Sequence, residues 1–157
     1  MHKTFGQKEN IPYHDRKGAY LIPIQGNQVA VVQTPKGYFL IGGGLENGET
    51  DRQCIERECM EETGYAAAVG KCVCSAEKYA LHPELGGFHP IQTYYLGDLR
   101  CRENTPTDTD HRLVWVAYEE IKDQMYSDMQ GWAITQCWKA RREPITTDRT
   151  TEANSGL

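Results

Sequence analysis

Residues 42–65 read GGGLENGETDRQCIERECMEETGY, and this stretch decides the reading of the whole chain. Thr50-Asp51-Arg52-Gln53 has the form of a capping box, in which a Thr hydroxyl and a Gln side chain satisfy exposed backbone donors reciprocally. That places a helix start at Asp51, and Gly64 suits the left-handed position just past its end. Between these stops, positions turn by about 100° per residue. Glu58 and Glu62 therefore stack on one face with Glu61 beside them, while Ile55 and Cys59 form the adjoining apolar stripe that faces a sheet. Three carboxylates near a helix C-terminus oppose the helix dipole, and like charges four apart add roughly 0.2–0.5 kcal/mol of repulsion per pair. An acidic surface face is the plain alternative. The glutamates adjoin the core side, however, and the glycines Gly42-Gly43-Gly44 lie just upstream, where a ligand can approach the main chain. Converging hard oxygen donors suit Mg²⁺ or Mn²⁺, and a divalent ion would turn the repulsion into binding energy.

Outward from this core, 157 residues with 39% apolar and 25% charged content describe one domain able to bury a core. The net charge of -5 offers no broad basic surface for nucleic acid. No apolar run approaches the roughly 18 residues that a membrane span requires. The opening MHKTFGQKEN carries no apolar core of an export signal, so a cytoplasmic location is expected. Reduced thiols then follow for the six cysteines. Cys72 and Cys74 alternate along an expected strand, on one face, and with His82 and His89 they raise a zinc site. Their spacing matches no standard zinc module, and buried or free thiols are the favoured reading.

The first dozen residues read as a loose arm (1–12), residues 13–142 as the domain, and the polar run 143–157 as a disordered tail. From Ala19, strand and turn signals alternate through Gly26-Asn27 and Pro35-Lys36-Gly37 to the glycine loop. Strands are expected over Val69–Tyr79, Ile91–Leu99 and Leu113–Ala117, with LHPELGGFHP as a linker between the first two. Tyr118–Gln124 reads as a helical turn. A last helix over Ser127–Arg142 carries Met129, Trp132, Ala133, Cys137 and Ala140 at helical spacing. Strands mixed with two substantial helices make an α/β layered domain.

Gly43, five residues, Glu49, seven residues, then Arg57-Glu58-Cys59-Met60-Glu61-Glu62-Thr63-Gly64-Tyr65 resembles the Nudix box, with its Gly, Glu, Arg-Glu, Glu-Glu and final Gly positions all filled. The resemblance extends over residues 13–142. Ile41 departs from it, standing where many members have proline. The resemblance implies an α/β/α sandwich with a mixed β-sheet. It also implies a MutT-like, Mg²⁺- or Mn²⁺-dependent hydrolase of nucleoside di- or triphosphates, or of nucleoside diphosphates linked to another group.

Carried over by position, Glu58, Glu62 and the Gly42 carbonyl would be metal ligands. Glu61 would be a ligand or the base, and Glu49 and Arg57 an ion pair holding the loop to the helix. For the catalytic base, Glu61 and Glu62 compete with Asp110 of the loop RENTPTDTDHR, with Glu103 behind it. Arg16 is a candidate for phosphate. Tyr38, Phe39 and Phe88, along with Tyr95 and Trp115, are candidates to stack on a base, although strand aromatics more often serve the core. The expected partner is a small nucleotide, with neither membrane nor nucleic acid; oligomeric state stays open, a homodimer among the options. A nucleotide-sensing module without turnover is the alternative function, and the intact glutamate set argues against it. A merely metal-stabilised structural domain is a third.

Overall fold

A computed structural model describes residues 1–141. The tail assigned to 143–157 lies outside the described residues. The chain runs β1 (His2–Phe5), β2 (Tyr13–Gln25), β3 (Gln28–Thr34), β4 (Gly37–Phe39), β5 (Ile41–Gly44), α1 (Asp51–Thr63) and β6 (Tyr65–Lys78). It continues through β7 (Ala80–His82), β8 (Gly86–Arg102), β9 (Arg112–Ala117), α2 (Tyr118–Ile121) and α3 (Asp128–Ala140).

The strands join in the order β1-β6-β8-β2-β3-β4, with β5 on β2, β7 on β8 and β9 on β3. β1 runs parallel to β6 and β2 parallel to β8, while the other pairs are antiparallel, so the sheet is mixed. Alternation along β2 and β3 sorts their side chains into two cores. Tyr20, Ile22, Val29 and Val31 pack with Met129, Ala133, Ile134 and Cys137 of α3. Ala19, Leu21, Ala30 and Val32 pack with Cys54, Ile55 and Cys59 of α1. A sheet buried on both faces between helices is the α/β/α sandwich.

Three expectations are corrected. Residues 1–12 contain a strand: β1 pairs His2 with Ser75 through Phe5 with Lys78, and Phe5 meets Trp132 edge to face. The linker LHPELGGFHP is a hairpin, Ala80–His82 pairing with Gly86–Phe88, and β8 starts there. Cys72 and Cys74 do not share a face, because the β6 register against β8 shifts between them. Cys72 sits against Tyr95 of the α1-side core, whereas Cys74 is buried in the α3-side core. His89 is bonded to Asp15 and Glu77, and His82 accepts backbone N–H groups, so no zinc cluster forms from these four.

Candidate active site

The helix that bears the glutamates is anchored at both ends. Thr50 Oγ1 accepts from the Gln53 amide while Gln53 Oε1 accepts from the Thr50 amide, closing the capping box. Gly64 takes the left-handed conformation at φ 77°, its N–H donating to the Met60 carbonyl. The following loop docks on this end, because the Thr107 and Asp108 amides both donate to the Glu61 carbonyl at 3.0 Å. Carbonyls that a helix terminus leaves unpaired are thus satisfied, and Asp108 is delivered beside Glu62.

Glu62 is buried, and its Oε1 accepts from the Gly42 amide at 3.1 Å. Burial, with Glu58, Asp108 and Glu61 nearby, pushes its carboxyl up to about 9 despite the Gly42 bond. Glu58 is raised to about 7, first by burial and then by its contact with Glu61. Gly43 leaves room for this carboxylate, since a Cβ on it would lie 1.6 Å from Glu58 Oε2 and displace it. Gly42 is required for a second reason: its φ is 143°, and a Cβ would lie 2.2 Å from the Ala19 carbonyl oxygen.

Arg57 clamps the loop as expected. It donates to both oxygens of Glu49, Nε at 2.6 Å and Nη2 at 3.0 Å, and Nη2 also donates to the Gly44 carbonyl at 3.2 Å. The guanidinium holds the Glu49 carboxyl down at about 2, while Glu49 raises Arg57 further above its ordinary range. Nη1 of the same guanidinium reaches Glu58 at 3.2 Å and Glu61 at 3.5 Å, so one cation touches loop and helix acids together.

Among the described residues, Glu62, Asp108 and His111 bring one ligand atom each within 4.8 Å of one another. Asp108 and His111 were not singled out from the sequence. The loop carries several acids of similar spacing, and only its docking onto α1 selects Asp108. Asp110 also lines the cleft, but it is turned onto His111 Nδ1 at 2.9 Å with its side chain 66% exposed. Glu103 lies away from the cleft, beside Cys101.

The inner cleft, of about 480 Å³, is bounded by Gly42, Gly43, Glu58 and Glu62 at its base and by Tyr20, Pro35, Phe39 and Leu40 along an apolar wall. An outer cleft of about 860 Å³ adjoins it, and Arg16 and Glu58 line both. Arg16 and Phe39 therefore stand where a ligand can meet them. Tyr38 packs at the α3-side core, accepting from the Tyr126 amide at its carbonyl, and Phe88 lies against His82; neither lines a cleft. Tyr95 donates its hydroxyl to Asp51 at 2.6 Å, and Trp115 packs on the α1-side core.

The donor set fits a hard divalent cation: carboxylates predominate, and Glu58 and Glu62 are both raised by burial and by the neighbouring acids. Similar folds occur in a MutT NUDIX hydrolase from Burkholderia pseudomallei (19% identity, TM-score 0.64, covering 78% of this chain and 98% of that one). They occur also in an ADP-ribose pyrophosphatase from Streptococcus suis (16%, TM-score 0.64, 82% and 92%). A NUDIX hydrolase from Nitrosomonas europaea is similar over 91% of this chain and 90% of that one (19%, TM-score 0.56). At these identities the likeness establishes the fold. The NUDIX domain model itself matches residues 14–134, most of the chain and all of the cleft described above, and the chain belongs to that family.

Proposed function

We propose that this NUDIX-family hydrolase is a pyrophosphohydrolase, dependent on Mg²⁺ or Mn²⁺, that cleaves nucleoside di- or triphosphates or nucleoside diphosphates linked to a second group. The observation that carries the reading is the convergence of Glu58, Glu62, Asp108 and His111 on the inner cleft floored by Gly42-Gly43, with Glu61 beside Glu58 on the adjoining outer cleft. Glu58, Glu62, Asp108 and the Gly42 carbonyl would hold the ion, with His111 beside them. When bound, a divalent ion supplies charge neutralisation for phosphate oxygens and Lewis acidity at phosphorus.

The protein's own groups do the rest. Arg16, shared by both clefts, binds the pyrophosphate between them. Phe39 and the apolar wall receive the nucleobase. Glu61, its side chain 39% exposed against 16% for Glu58 and 8% for Glu62, accepts the proton of the attacking water while the bridging P–O bond breaks. Arg57 and Glu49 react with nothing; they fix the loop that carries the cleft floor.

Pyrophosphatase assays over a nucleotide panel, with Mg²⁺ or Mn²⁺, test this. Glu62→Gln is expected to lower turnover by about a hundredfold or more. A variant turning over nearly as fast as wild type overturns the metal-site assignment.

A further inference from the structure

The outer cleft contains a side chain that the reaction above does not use. Asp15 lies on its rim with 64% of its side chain exposed. Its Oδ1 is held at 2.9 Å by Nδ1 of His89, its direct cross-strand neighbour. His89 is itself buried, and its Nε2 lies 2.8 Å from Glu77 Oε1. The imidazole stacks on Tyr79 with centroids 4.3 Å apart and planes 6° from parallel, and Tyr13 abuts it edge-on. Both ring nitrogens and one ring face are therefore engaged, so the ring cannot turn and Asp15 is aimed. Among the described residues, no bond to Asp15 Oδ2 is made. The carboxylate keeps open acceptor capacity toward the cleft.

The charges of the outer cleft say what such an acceptor can read. Glu46 lies there with Asp15, and Arg57 is already spent on Glu49 and Glu46. Arg16 sits at the junction, which leaves Lys17 as the cation away from the scissile phosphates. A further phosphate placed there would face the Asp15 carboxylate. A hydroxyl-rich neutral group would instead donate to Asp15, and Asn47, which lines the same cleft, offers both a donor and an acceptor.

We propose that the outer cleft seats an uncharged polyhydroxylated group, a glycosyl unit linked to a nucleoside diphosphate, and that Asp15, positioned by His89, selects it over a phosphate. This rests on the pyrophosphohydrolase reading and narrows it to one substrate class.

The test compares kcat/KM for a nucleoside diphosphate hexose and the matching nucleoside triphosphate, in wild type and in Asp15→Asn. Wild type is expected to favour the glycosylated compound. Asp15→Asn lowers kcat/KM for it, mainly through KM, by on the order of tenfold, the loss of a charged acceptor for a hydroxyl. Triphosphate cleavage rises as the repelling charge is removed, so the preference shifts toward the triphosphate. His89→Gln moves the same ratio in the same direction, and the double variant loses no more than Asp15→Asn alone. A wild type that prefers the triphosphate, or an Asp15→Asn variant that slows both substrates equally, overturns the proposal and leaves the pyrophosphohydrolase reading intact. Absence of cleavage across the whole panel overturns both.

Discussion

Glu62 shows how one residue ties stability to chemistry. Its carboxyl ordinarily titrates near 4.5 and is pushed up to about 9 in the fold, chiefly by burial. Without a cation the folded state thus holds the proton more tightly than the unfolded chain does. The favourable contribution is complete below about pH 4.5 and disappears as pH rises through about 9. Glu58, raised to about 7, acts in the same direction over the lower part of that window. Two outcomes follow for Glu62→Gln, which keeps an acceptor for the Gly42 amide. In EDTA at pH 8 the variant should melt above wild type, by about 5 °C, and at pH 4.5 the gap should close. Added Mg²⁺ should reverse the order at pH 8, because the ion stabilises only the chain that offers it the carboxylate. Differential scanning calorimetry at the two pH values decides this.

At the scale of the element, α1 tolerates its acidic C-terminus because both ends are held by other means. No basic residue occupies its last turn. The dipole is opposed there, and the compensation comes from the capping box, the Gly64 turn, and the loop amides on the Glu61 carbonyl. Thr50→Ala removes the side-chain arm of the box and should cost about 1 kcal/mol in urea unfolding. Activity should fall little when the protein is fully folded, since Thr50 lines neither cleft. The helix limits were legible in advance because each signal acts within four residues. The β6 bulge that separates Cys72 from Cys74 was not, because it is set by pairing with β8.

For the whole molecule, the N-terminal strand closes one edge of the sheet. Ser75 and Tyr79 amides donate to the Met1 and Phe5 carbonyls, and His2 reaches both Ser75 and Glu77. The same Glu77 carries His89, so strand β1 connects through two side chains to Asp15 on the outer cleft. Two histidines hold the Glu77 carboxyl down at about 2. Removing residues 1–6 should lower the melting temperature by several degrees and speed exchange of the Ser75 and Tyr79 amides, read by hydrogen–deuterium exchange. Unchanged protection at those amides would show that β1 does not guard the edge in solution.

The amino-acid sequence alone determined the family, the sandwich class, the limits of α1 and the Arg57–Glu49 clamp. The limits of α1 follow from capping and helix periodicity within one short segment, whereas the family, the sandwich and the clamp came as implications of the resemblance to the Nudix box. Tertiary structure alone decided which loop acid joins the glutamates, which aromatics reach the cleft, and what His89 does. Asp108 and Asp110 are chemically identical, and only the docking of the loop onto the last turn of α1 turns one inward to Glu62. Asp15 and His89 are 74 residues apart and meet because β2 and β8 run side by side, a pairing that no local pattern encodes.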